Sequence, residues 1–160
     1  MLFRSLIHML FAEVEGLKGN VPAVIERLQR AVTVGPPSPP IVRQLVTLLY
    51  RSNRIEEAQK ALASLGGDGL PGLERLSAEM ELRSGKLDEA VALAERSVAR
   101  NSPNADDLLW LGQLLDRAGR PDRAEAMLER AVEAAPESPE PWLALFTHRS
   151  EEHTSELQSR

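Results

Sequence analysis

The 160-residue sequence contains no cysteine, which removes disulfides, thiolate nucleophiles and cysteine-ligated zinc or iron sites from consideration. Aromatic residues make up only 4% against 42% hydrophobic residues overall, so the interior has to be packed with Ala, Leu and Val. Positive charge is not in excess. A net charge of −5 and a pI near 5.3 do not suit a surface built to neutralise phosphates, and nucleic acid is not an expected partner. No apolar run approaches the ~20 residues that span a bilayer, so no membrane insertion by this segment is expected. The stretch "LIHMLFA" near the start is short, contains His8 and runs directly into "EVEGL", unlike a secretory signal.

Catalytic and ligand-binding signatures are also missing. "GGDG", residues 66–69, lacks the preceding strand and the Lys-Ser or Lys-Thr pair of a phosphate loop and reads as a connector. His8 and His148 are far apart, with no carboxylate at ligand spacing, so no metal site is expected. No Ser, His and Asp set carries an elbow or oxyanion donors. These readings imply a segment that is not an enzyme and needs no cofactor.

Both ends look foreign to the rest. "RSEEHTSELQS", Arg149 to Ser159, resembles, codon for codon, the translation of a short-read sequencing adapter, and "MLFRS" resembles the translation of its reverse complement. Residues 1–5 and 149–160 are accordingly set apart as adapter-derived, leaving 6–148 as the natural segment. With both natural ends missing on this reading, localisation stays undefined, cytoplasmic or periplasmic.

What the sequence has is a period. Gly119, Ala124, Leu128, Ala131 and Pro136 recur thirty-four residues earlier as Gly85, Ala90, Ala94, Ser97 and Ser102. A further step reaches Asn53, Ala58, Leu62 and Leu65, and another reaches Gly19, Val24, Leu28, Ala31 and Pro36. Such self-similarity marks a repeat architecture. Each unit reads as two amphipathic helices: apolar residues fall at helical spacing in Ile41, Val42, Leu45 and Leu49, and in Leu108, Leu111 and Leu115. Gly or Asn at 19, 53, 85 and 119 ends each first helix in the left-handed region. Second helices start at Pro22 or just after Pro121 and are stopped by Pro36, Pro103 and Pro136.

Small residues at fixed places let two helices approach to the short end of the ~8 to 10 Å range. Ala58, Ala90 and Ala124 mark that crossing inside each hairpin, while Ala31 and Ala131 mark contact with the next unit. Gly112 sits inside a first helix, where glycine costs about 1 kcal/mol relative to Ala and must be offset by close packing; Ala12, Val46 and Ala78 hold the equivalent position.

On Leu111, Gly112, Ala124, Leu128, Ala131 and Pro136, followed by Trp142 and Leu145, the segment resembles the tetratricopeptide repeat (TPR) of bacterial proteins. The resemblance covers residues 6–148 as units of about 6–38, 39–70, 71–104 and 105–138 plus the first helix of a fifth, 139–148. It implies an all-α fold, a right-handed solenoid of antiparallel helix pairs. The second unit departs most from the pattern: it is two residues short, and "SLGGDGLPG", Ser64 to Gly72, replaces its last turn, so a kink or a widened angle between the second and third units is expected.

The resemblance also implies a function, a protein-protein interaction scaffold binding a peptide or protein in a concave groove. Groove positions of the first helices map onto Arg43, Thr47, Tyr50 and Arg51, onto Arg75, Glu79 and Arg83, and onto Leu109, Gln113, Asp116 and Arg117. Arg51, Arg83 and Arg117 share one repeat position and would form a ladder for carboxylates; the simpler reading is that each complements the C-terminal dipole of its helix. The Lys and Asn clamp of family members that hold chaperone C-termini is absent. Two other functions stay open on sequence: a substrate-presenting repeat region of a glycosyltransferase or sulfotransferase whose catalytic domain lies elsewhere, and an assembly factor in envelope export or secretion.

Overall fold

A computed structural model describes residues 2–34, 38–64, 72–99 and 102–158, with side chains from 7 to 151 within those ranges. The described residues form helices and no strand. In chain order these are α1 (Leu2–Leu17), α2 (Val21–Val34), α3 (Pro39–Arg51), α4 (Ile55–Ala63), α5 (Glu74–Arg83), α6 (Leu87–Ser97), α7 (Ala105–Arg117), α8 (Pro121–Ala134) and α9 (Pro139–Gln158). They fall into two compact units, Met1–Ser84 and Gly85–Arg160. The division runs through the third expected repeat, with α5 in the first unit and α6 in the second.

The turns behave as their residues dictate. Gly19, Gly85 and Gly119 have φ of 71°, 77° and 69°, and Asn53 has φ of 58°. In three of these turns the residue after the left-handed one donates five residues back, Asn20 to the Glu15 carbonyl at 3.0 Å, Arg54 to Leu49 at 2.9 Å and Arg120 to Leu115 at 2.9 Å. Gly19, Asn53 and Gly119 themselves donate to Gly16, Tyr50 and Asp116. This is the Schellman arrangement, which satisfies carbonyls that the helix end would leave bare. The following helices lack side-chain N-caps at Arg54, Lys86 and Arg120, and acidic residues in their first turns, Glu56 and Glu57, Asp88 and Glu89, and Asp122, compensate the dipole.

The helix starts at Pro22 and Pro121 hold, Pro121 being the first residue of α8. Pro103 does not stop α6. That helix ends at Ser97, whose hydroxyl donates to the Ala94 carbonyl at 2.8 Å, and the chain turns extended at buried Val98 (φ −111°, ψ 124°). Pro103 instead precedes Asn104, the cap of α7, whose side chain accepts from the Asp106 amide at 2.9 Å. Pro36 and the greater part of the Ser64–Gly72 connector, with its expected kink, lie outside the described residues.

In the first unit, α1 pairs with α2 and α3 with α4, and α3 also packs on α2 and α5 on α4. The core joins Ala12, Val24, Leu28, Ala31, Val42, Leu45, Val46, Leu49, Ala58 and Met80, all buried. In the second unit α7 and α8 form a hairpin, α6 packs on α7, and α9 lies against both α7 and α8. Leu145 of α9 joins Leu128 and Val132 of α8 in the core. Trp142, Leu143 and Phe146 stay 52–70% exposed, so only one edge of α9 is covered.

The expected small residues are buried. Ala58, Ala90 and Ala124 are wholly buried, as are Ala78, Val46 and Ala131. At Gly112 a Cβ would stand 2.8 and 2.9 Å from Leu128 Cδ2 and Cγ and 3.3 Å from the Ala124 carbonyl oxygen. The glycine is there because α8 occupies the space a methyl group would take. Replacing Ala124 by Leu is expected to overfill this crossing and cost about 1 to 3 kcal/mol. The same change at exposed Ala126, on the opposite face of α8, is expected to stay within about 0.5 kcal/mol; urea unfolding of both variants measures the difference.

Candidate partner-binding surface

Three groups of the sequence-predicted residues are brought together, all on first helices. On α3, Arg43, Thr47 and Arg51 line a shallow depression of about 430 Å³ with Pro40, Gln44 and Leu48. The Thr47 hydroxyl donates to the Arg43 carbonyl at 2.9 Å and is committed to its own helix. The Arg43 guanidinium leans over Gly72, where a Cβ would approach Nη1 to 2.9 Å; with φ of 83°, Gly72 is held there by both backbone and space. Second, the Arg83 guanidinium of α5 stands 4.5 Å from the centre of the Tyr50 ring of α3, a cation–π contact of about 0.5 to 1 kcal/mol at an exposed site. Arg75 and Glu79 are half-buried on the same helix as Arg83.

The third group belongs to the second unit. Leu109, Gln113, Asp116 and Arg117 of α7 face Leu143, Ala144, Thr147 and His148 of α9 across a cavity of about 560 Å³ floored by Leu128. Sequence reasoning assigned α7 its groove positions but did not carry them one repeat further, where Leu143 and Thr147 stand thirty-four residues after Leu109 and Gln113. The same step that located the repeat would have found this opposite wall.

His148 is the residue the sequence reading left without a partner. Its Nδ1 donates to Asp116 Oδ1 at 2.8 Å, and the imidazole is buried while the carboxylate is about one-third exposed. The pair ties α9 to α7 and sets the width of the cavity between them. Its members are 32 positions apart, so neither motif spacing nor helix periodicity singles them out. At the start of α9, Ser138 Oγ donates to Glu140 Oε2 at 2.6 Å. That hydrogen bond, reinforced by one from the Glu140 backbone, holds the Glu140 carboxyl below its ordinary range, so it stays ionised on the rim. The α7–α9 cavity therefore has an apolar floor and a rim leaning acidic, with Asp116 and Glu140 beside Arg117, whereas the α3 depression carries Arg43 and Arg51.

Arg51, Arg83 and Arg117 are exposed, each in the last turn of its helix, where a cation favours the dipole. Arg83 additionally covers Tyr50. Among the described residues no group of three or more His, Cys, Asp and Glu side chains could hold a metal ion, and no helix is long and apolar enough to cross a membrane.

Helix hairpins meeting at small residues, with first helices presenting cavity-lining side chains, define an α-helical repeat protein of the solenoid class. Residues 81–145 match the profile of the tetratricopeptide repeat family, and known structures share the fold. A MamA crystal structure superimposes with a TM-score of 0.74 at 15% identity, covering 96% of this chain and 85% of that one. MamA 41-end from Desulfovibrio magneticus RS-1 gives 0.73 at 15% identity, with 97% and 90% covered. YrrB, described as a TPR protein with an unusual peptide-binding site, gives 0.70 at 17% identity, with 88% and 73% covered. No curated protein matches the chain by sequence.

Replacing Asp116 by Ala removes the acceptor of a buried imidazole and is expected to destabilise the protein by about 1 to 3 kcal/mol. Asp116→Asn, which keeps an acceptor oxygen, should lose less. Amide hydrogen exchange is the discriminating measurement, with protection falling first in α9.

Proposed function

We propose that this chain is a protein-interaction scaffold that receives a peptide or a protein segment on the face carried by its first helices, and that it performs no catalysis itself. The observation that carries the reading is the α7–α9 cavity. Two successive first helices present equivalent positions to each other across about 560 Å³ of space floored by Leu128 and walled by Leu109 and Leu143. That volume lies within the ~300 to 1,000 Å³ of ligand sites, and its mixture of apolar floor and few polar rim groups suits one or two side chains of an extended peptide. The α3 depression supports the reading from the first unit, because Arg43 and Arg51 there would favour an acidic side chain by charge-assisted hydrogen bonds. The unusual peptide-binding site of YrrB is in keeping with this use of the fold.

Peptides selected against the protein from a display library provide the test. A double variant, Gln113→Arg with Thr147→Arg, places two bulky cations in the α7–α9 cavity from exposed positions and should weaken selected peptides by roughly tenfold or more, about 1.4 kcal/mol, without lowering the melting temperature. Arg43→Glu with Arg51→Glu should weaken those peptides that carry acidic residues. Selected peptides that bind both double variants as tightly as the parent would remove the first-helix face as the binding surface.

A further inference from the structure

The outer face of α1 carries a pattern that the first helices after it lack. Ile7, Leu10, Val14 and Leu17 are 41%, 54%, 45% and 90% exposed, and the steps between them alternate three, four and three residues. A period of about 3.5 residues is that of a seam between two helices wound around each other, and β-branched side chains alternating with Leu in this order favour two parallel strands. With about 3.6 residues per turn, the stripe lies opposite Ala12, which α1 turns into the core it shares with α2. Pairing along the stripe therefore asks nothing of the α1–α2 contact. Phe11 borders it, with the Arg27 guanidinium of α2 standing 5.0 Å from the ring centre.

Repeat stacking does not account for this stripe. A step of thirty-four residues carries Ile7, Leu10, Phe11, Val14 and Leu17 onto Ile41, Gln44, Leu45, Leu48 and Arg51 of α3. There, with α2 packed on α3, Ile41 and Leu45 are buried, Leu48 is half-buried, and Gln44 and Arg51 are exposed. A second helix laid on α1 as α2 is laid on α3 would cover Ile7 and Phe11 and still leave Leu10 and Leu17 in water. Leu17 moreover stands at the position where α3, α5 and α7 carry Arg51, Arg83 and Arg117. Apolar residues scattered singly on a surface need no explanation, but a contiguous stripe marks an interaction surface.

We propose that α1 is a self-association surface: α1 of one copy packs parallel to α1 of a second copy about a two-fold axis, and Ile7, Leu10, Val14 and Leu17 meet their own counterparts. The flanking charges select this partner and this direction. Glu13 borders one side of the seam and Lys18 the other, both exposed. Parallel pairing in register sets Glu13 of each copy beside Lys18 of the other, at the positions where paired helices form their interhelical salt bridges. Antiparallel pairing would instead set the Glu13 side of one copy against the Glu13 side of the other. Lys18 already reaches Glu15 of its own helix at 3.0 Å, and an ammonium with three donors has capacity for a second carboxylate. The two-fold makes both salt bridges at once, because the same patch serves on each side.

Sedimentation equilibrium of the full 160-residue chain at low salt is the test. A monomer–dimer equilibrium is expected, weak because the seam spans only two heptads, with a dissociation constant on the order of 10 to 100 μM. Leu10→Lys with Leu17→Lys should weaken it roughly tenfold or more; if that pair lowers the melting temperature, Leu17→Lys alone, at the position 90% exposed, carries the test. Glu13→Lys should weaken the dimer, and Glu13→Lys combined with Lys18→Glu should restore it. Leu143→Ser with Phe146→Ser, at exposed apolar positions of α9, should leave it intact. So should Gln113→Arg with Thr147→Arg, which separates a failure of this surface from a failure of the peptide-binding reading. A monomer at every concentration up to about 500 μM, a dimer indifferent to Leu10 and Leu17, no recovery on exchanging the charges, or an assembly larger than two overturns the proposal.

Discussion

The closeness of α7 and α8 at Gly112 is the constraint from which the rest of the second unit follows. A helix pair that meets over a missing Cβ leaves no room for relative rotation: Leu128 fills the space above Gly112, and the Ala124 carbonyl stands 3.3 Å from where a methyl group would be. Once α7 is locked in phase against α8, its remaining faces are assigned. Leu108 and Leu111 turn toward α6, and Leu109, Gln113 and Asp116 turn toward α9. Glycine inside a helix is unfavourable by about 1 kcal/mol, so the sequence gives up local helix propensity in exchange for a fixed crossing. In the first unit the equivalent position is Val46, buried in the same core cluster as Ala58.

Much of this architecture was legible in the sequence because it is written in residues whose roles are local. A left-handed residue at 19, 53, 85 and 119 depends on nothing beyond its own φ, and all four adopt it. The alanines at 58 and 124 recur because each hairpin must solve the same packing problem, and both are fully buried, as is Ala90. Pro103 was misread for the complementary reason. Proline cannot continue a helix, but it does not say how far ahead of it the helix has already ended, and burial of Val98 in extended backbone decided that at Ser97. Of the site, the α7 positions were legible from the repeat register. The Asp116–His148 pair was not, since a contact between residues 32 apart depends on helix phase and crossing geometry, which no composition or motif rule encodes.

Charges on this fold fall into two kinds of work. Some close locally: Glu57 gathers Arg54 and Gln29, and these hydrogen bonds, that from Arg54 foremost, hold its carboxyl below the ordinary range. Glu15 is lowered for the same reason by Lys18, with Asn20 adding to it at the α1–α2 turn. Such exposed pairs contribute little to stability individually. Others are presented on the lining of a hollow, as Arg43 and Arg51 are on α3 and Asp116 and Glu140 are beside α9.

That separation explains how one packing scheme serves unlike surfaces. The crevice between a second helix and the next hairpin is set by backbone approach and by buried aliphatic residues, and it is present at matching positions in both units. Its mouth is set by residues that the core does not constrain. Glu26 pairs with Arg30 in the first unit, and Ala92 takes its position in the second; Ser64 in the first is replaced by Arg130 in the second. Because hollow and mouth draw on different positions, the hollow is inherited from the repeat and its rim is free to vary. Function in this chain is therefore to be read from departures between aligned repeats, and the consensus positions report only how the helices are held.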